Sequence, residues 1–145
     1  METFQQILEL DDDEAHEYSR DLAGAYFAQA RTIFADMRKA LYVFTLYFWR
    51  PTIYQFGDSA NKDLKELSSL GHFLKGSSAA LGVAKVSSSC QKIEHYGKLR
   101  DEKANRDLTR EDALTRIGAL LGTVGQECTI AEDWLKEWYQ KERRP

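Results

Sequence analysis

Residues 62–82, KDLKELSSLGHFLKGSSAALG, decide the architecture. Leu64, Leu67, Leu70, Leu74 and Leu81 recur at helical spacing and Gly82 supplies a stop, so the spacing predicts a helix over about Lys62 to Leu81. At 100° per residue, with His72 set at zero, Leu67, Leu70, Leu74, Ser78 and Leu81 fall more than about 110° away and form the buried side. Lys65, Ser68, Ser69, Lys75, Gly76 and Ala79 fall within about 60° of His72. The histidine therefore stands on the wet face, among small residues and lysines, while the leucine stripe requires other elements to bury it.

Those elements lie on either side. Phe4, Ile7, Leu8 and Leu10 read as a short N-terminal helix that stops at the acidic run Asp11 to Glu14. The same run carries the charge that a helix N-terminus prefers, so a second helix is expected to start there. Its stripe is Tyr18, Leu22, Tyr26, Ala30, Ile33, Phe34, Met37 and Leu41. A fourth helix is expected from about Lys85 to Leu99, on Val86, Cys90, Ile93 and Gly97, followed by a charged connection from Arg100 to Leu108. Thr109 with Asp112 is similar to a capping box and opens a last helix on Leu114, Ile117, Leu121, Val124, Cys128, Ala131, Leu135 and Trp138. Amphipathic helices joined by short links bury their stripes as an antiparallel bundle, so the fold class is all-α: a four-helix bundle with a short N-terminal helix. The 145 residues suit one domain, 1–145, and a monomer accounts for all the seams.

Composition narrows the function. A net charge of −3 argues against a general nucleic-acid binder, which needs a basic face. Cys90 and Cys128 sit in apolar helical patterns without a CxxC spacing, and read as reduced core thiols of a cytoplasmic or nuclear protein. The N-terminus has no basic and apolar regions of the secretory kind, so no signal peptide is expected. The chain lacks a GxxxxGK(S/T) loop, a GxGxxG loop and a kinase HRD string, so no ATP site of its own is expected, and without ExxH or HExxH no metal site is expected either.

His72 suits a phosphoryl carrier. A neutral imidazole is nucleophilic near neutral pH and forms a phosphoramidate of high transfer potential. Lys75, one turn on, supplies a point charge for phosphoryl oxygens, and Gly76, at i+4, removes a side chain that would crowd the ring. His16 and His95 read as ordinary surface histidines.

The string LGHFLKGSSAALG, with LELDDDE and FAQARTIFADM before it and SCQKIEHYGKLRDEK after it, resembles fungal histidine-containing phosphotransfer (HPt) proteins, the intermediates of multistep phosphorelays. The resemblance implies a four-helix bundle and phosphorylation of His72. It implies partners that are receiver domains of a hybrid sensor histidine kinase and of response regulators, with Mg2+ held by the receiver. The chain itself would need no cofactor. Where the family often has a glutamine beside the phosphohistidine, this chain has Glu94. An ionised carboxylate cannot donate a hydrogen bond, but it can hold the imidazole by accepting its N–H. Lys98, one turn further, adds positive charge. The family's apolar docking patch maps here onto Ile7, Leu10, Tyr18, Leu22 and Phe73, and bundle packing is the competing reading for Ile7 and Leu22.

The resemblance skips the aromatic-rich stretch at about 42–59, which reads as an insertion. Its nine-residue apolar run Leu41 to Trp49 is short of the roughly 20 residues of a membrane span, and Arg50-Pro51 breaks it. Three readings stand: an extension of the second helix with a turn, an aromatic contact surface, or a stretch that is not native coding sequence. Two rival functions follow from these departures. One is a helical adaptor that binds receivers without transferring phosphate. The other is a membrane-surface binder that uses the aromatic stretch, weakened by the lack of a lysine-rich flank.

Overall fold

A computed structural model of the chain describes residues 2–11, 16–49 and 56–142, the side chains of 2, 43–49 and 56–62 excepted. The elements in order are α1 (Glu2–Leu8), α2 (Glu17–Trp49), α3 (Phe56–Leu81), α4 (Ala84–Gly97), β1 (Arg100–Asp101), β2 (Arg106–Asp107) and α5 (Arg110–Glu142). Helix α2 packs on α3 and α5, and α4 packs on the same two, so the four longer helices close around one core. Gly97 lies against Leu64 and Ser68 while Gly71 lies against Cys90 and Glu94, so α3 and α4 run in opposite directions. Ser19 meets Tyr139 and Arg31 meets Glu132, which sets α2 against α5 in the same sense. The expected all-α antiparallel bundle is the observed one. Met37, Leu67, Leu74, Val86, Ile93 and Ile117 are fully buried at its centre.

The short helix α1 covers one end. Phe4 sits edge-on to Trp138 of α5, with ring centroids 6.0 Å apart, and its backbone lies over Gly82. Gly82 ends α3 in a left-handed conformation, φ 87°. Its N–H bonds the carbonyl of Ala79 and that of Val83 bonds Ser78, the pair of bonds that defines a Schellman close. Only a glycine takes that φ without strain.

The structure moves three expected boundaries, one of them the start of α3, at Phe56 instead of about Lys62. Helix α2 begins at Glu17, not within Asp11 to Glu14. Asp11 caps it from outside: Oδ1 accepts the Ser19 N–H at 2.8 Å and Oδ2 accepts the Ser19 hydroxyl at 2.8 Å. Oδ2 also pairs with His16 Nδ1 at 2.8 Å. This satisfies an orphan first-turn amide from a distance in sequence that no local pattern reveals. His16, expected as plain surface, is therefore structural, and it packs near Trp138 and Tyr139. Helix α4 ends at Gly97 instead of Leu99, because Leu99 turns to φ 59°.

The connection to α5 holds a small antiparallel hairpin that the charge pattern concealed, with Arg100 opposite Asp107 and Asp101 opposite Arg106. Arg116 of α5 donates to Asp101 at 2.7 Å and pins it. Thr109 caps α5 as expected, its hydroxyl accepting the Asp112 N–H at 3.2 Å.

The backbone of α2 carries through the apolar run to Trp49 and α3 starts at Phe56. Helix backbone thus covers both ends of the expected insertion, while the side chains of 43–49 and 56–59 and all of 50–55, the Arg50-Pro51 break included, lie outside the described residues. Among the described residues no helix is long and apolar enough to cross a membrane, and no three potential metal ligands cluster.

Candidate functional site

The site is built on the closest helix pair of the bundle. A Cβ on Gly71 would stand 3.0 Å from the Cys90 carbonyl oxygen and from the Glu94 nitrogen, and a Cβ on Gly97 2.8 Å from the Leu64 carbonyl oxygen. These two glycines let the backbones of α3 and α4 touch. Two hydroxyls then lock the register: Ser68 Oγ donates to the Glu94 carbonyl at 2.9 Å, and Ser87 Oγ donates to that of Lys75 at 3.1 Å. Ser68 is accordingly buried, against the expectation that it shares the wet face of His72. A helical wheel counts a serine as polar, but here a neighbouring helix covers it. Leu67, Leu74, Ser78 and Leu81 are buried as expected, and Lys65, Ser69, Gly76 and Ala79 are exposed.

The register brings Glu94 under His72. Glu94 Oε1 pairs with His72 Nδ1 at 2.9 Å, and Oε2 accepts from Lys75 Nζ at 2.8 Å. Lys98 Nζ reaches Oε1 at 3.5 Å, the long limit of a hydrogen bond. The Glu94 side chain is only 9% exposed, while that of His72 is 68% exposed. Burial alone would raise the Glu94 carboxyl, but the hydrogen bonds and charges of Lys75 and His72 outweigh it and hold the group down at about 2. It is a carboxylate at neutral pH and can only accept. The hydrogen bond is therefore donated by His72 Nδ1–H, and in the neutral ring that leaves the lone pair on Nε2. No described residue hydrogen-bonds Nε2.

The sequence placed Glu94 and Lys98 in the environment of His72, and the structure brings both there. Lys75 is engaged with the carboxylate beneath the ring, so its charge acts on the site as part of that pair. Two ammonium groups against one carboxylate leave the site net positive. A Cβ at Gly76 would meet nothing within 4 Å. Nothing inside the chain requires glycine there, and a helix-interior glycine costs about 1 kcal/mol.

Leu10, Tyr18, Leu22 and Phe73 are exposed, between 40% and 61%. Leu22 lines a groove between α2 and α3 with Ala25, Ser77 and Ala80. Ile7 is corrected: it is buried against the bundle and belongs to the core, since α1 turns that face inward to cover the helix ends. Sequence reasoning passed over Gly71 and missed the part that Ser68 and Gly97 play with it in the close contact of α3 and α4, whose signal is small side chains recurring along facing stripes.

An exposed, nucleophilic Nε2 on an anchored ring beside net positive charge is equipped to take up and release a group such as phosphoryl. Comparisons with known proteins agree. Residues 21–135 match the family described as Hpt domain. The chain is similar to multistep phosphorelay regulator 1 of Schizosaccharomyces pombe, 41% identical over 139 residues that make up 95% of this chain and 41% of that protein. It is similar also to the phosphorelay intermediate protein YPD1 of Saccharomyces cerevisiae, 36% identical over 93 residues, 64% of this chain and 45% of that one. The matched length is thus under half of each of these relatives. The crystal structure of yeast YPD1P has the same fold, with a TM-score of 0.72 at 25% identity over 96% of this chain and 92% of that chain.

Proposed function

The chain belongs to the Hpt domain family, and from that membership we propose that it is a phosphorelay intermediate whose His72 carries a phosphoryl group between receiver domains. The observation that carries the proposal is the anchored ring: Nδ1 is fixed on Glu94 at 2.9 Å and Nε2 is left open on an exposed face. The names of the relatives, a phosphorelay regulator and a phosphorelay intermediate, support it.

In the proposed cycle the donor is an aspartyl phosphate on the receiver domain of a hybrid sensor histidine kinase. The Nε2 lone pair of His72 attacks phosphorus, the donor's P–O bond breaks, and its electron pair returns to the aspartate. The acceptor is the receiver aspartate of a response regulator, and the reverse displacement delivers the group to it. In-line positioning and charge stabilisation do most of the work in such transfers. The receiver supplies Mg2+, and this chain supplies the nucleophile and a net positive charge from Lys75 and Lys98. It acts as a phosphocarrier and binds no ATP. Leu10, Tyr18, Leu22 and Phe73 offer the apolar docking surface, and the empty space over Gly76 admits the partner's loops. The carrier works as a monomer. Two free, buried thiols suit a reducing compartment, cytoplasm and nucleus.

The test is transfer from a radiolabelled, phosphorylated receiver domain with Mg2+ to the wild type and to His72→Gln. Label that moves only to the wild type, lost in acid and kept in base, supports the proposal. Receiver binding without label on either protein refutes transfer and leaves a non-transferring adaptor.

A further inference from the structure

Building on the phosphocarrier reading, we propose that Glu94 is a positioning residue that keeps a proton on Nδ1 of the phosphorylated His72 ring, so that the phosphoryl group leaves from a protonated ring and departs from neutral imidazole. The ionised carboxylate has no proton to donate, so it bonds the ring only when Nδ1 bears hydrogen. A carboxamide in its place bonds either form of the ring, through its oxygen or its NH2, and adds no charge. The carboxylate cannot turn away, because Lys75 holds Oε2 at 2.8 Å and Ser68 fixes the Glu94 backbone at 2.9 Å.

The consequence is a proton-free cycle. On acceptance Nε2 forms the N–P bond, the donor keeps the P–O electron pair, and the ring becomes a cation that retains Nδ1–H against Glu94. On release the N–P electrons return to Nε2, a P–O bond forms to the acceptor aspartate, and the ring is neutral again with the same proton in place. A ring that had lost that proton would have to depart as imidazolate, a far poorer leaving group. The charged groups facing the carboxylate are His72 and Lys75 from α3 and Lys98 from α4 itself. Lys65 is exposed on the same side of α3. Among the described residues α2 and α5 contribute no ion pair to it.

The experiment phosphorylates wild type and Glu94→Gln with potassium phosphoramidate, with His72→Gln as the blank, so that no receiver is needed to load the ring. Loss of phosphate from His72 is followed from about pH 5.5 to about pH 9, with the 15N signal of Nδ1 recorded in parallel. A neighbouring opposite charge shifts a titration by about one unit at an exposed site. The rapid, protonated limb of the wild-type profile should therefore reach about one unit higher than that of the variant, with rates about tenfold apart near pH 8 and convergent in acid. Lys75→Gln, which removes a positive charge and leaves the carboxylate to the ring, should move the profile the opposite way from Glu94→Gln. Profiles that superimpose, or that differ by one constant factor at every pH, overturn the proposal. Failure of a phosphorylated receiver to label wild-type His72 would instead count against the relay reading, and the two results are independent.

Discussion

Replacing Gly76 by alanine is expected to stabilise the protein and slow its phosphotransfer, whereas the same change at Gly97 is expected to destabilise it. Alanine gains about 0.5–1 kcal/mol over glycine in a helix interior. At position 76 the new methyl group meets nothing within 4 Å, so that gain is realised in full. For a chain of this size it raises Tm by about 2–3 °C. At position 97 the methyl group would lie 2.8 Å from the Leu64 carbonyl oxygen and 2.9 Å from the Ser68 nitrogen, backbone atoms that cannot fold aside. Overpacking of that kind costs about 1–3 kcal/mol, and the propensity gain at the last helical residue offsets only part of it. A net loss of about 1–2 kcal/mol lowers Tm by about 3–6 °C. The forced separation of α3 and α4 also withdraws Glu94 from His72. Thermal melts by circular dichroism measure the first quantity, and transfer of label from a phosphorylated receiver measures the second. A larger Gly76→Gln side chain should slow that transfer on the order of tenfold or more, since displacements of about 1 Å at a reacting centre are costly. A lower Tm for Gly76→Ala would refute the reading of open space. Unchanged transfer in both Gly76 variants would refute the reading that a partner needs that space.

Tyr26→Phe removes a buried 2.6 Å hydrogen bond to Ser78 and leaves a buried hydroxyl unpaired, which should cost about 1–2 kcal/mol in urea unfolding. Burial pushes the thiols of Cys90 and Cys128 up, to about 12 and about 11, so a thiol-specific disulfide reagent should label neither in the native protein and both after denaturation. Glu94, whose carboxyl is held at about 2 in the folded state against an ordinary 4.5, contributes stability that is present above about pH 4.5 and is lost as pH falls toward 2. The wild type should therefore lose more stability than Glu94→Gln between pH 5 and pH 2.5, and equal losses in paired denaturation curves would contradict the ion-pair geometry.

The bundle was legible because helical periodicity is a local property. The leucine stripe of α3 and its Gly82 stop lie within one stretch of chain and need no partner to be read. The exposure of His72 followed from the same wheel, and Glu94 stood out as a residue type that cannot donate where a donor is usual. What the wheel could not read was contact between small residues. Ser68, Gly71 and Gly97 carry no hydrophobic signal, yet they decide how closely α3 and α4 approach. Capping from afar was equally hidden: Asp11 closes the first turn of α2 across a gap of eight residues. The burial of Ile7 depended on where α1 lies over the bundle end. The sequence by itself thus determined the helices, their amphipathic faces and the exposure of His72, because each depends on neighbours a turn or two away. The tertiary structure alone decided that Glu94 sits 2.9 Å from Nδ1 and shares itself with Lys75, because that distance is fixed by two backbones meeting across 22 residues of sequence.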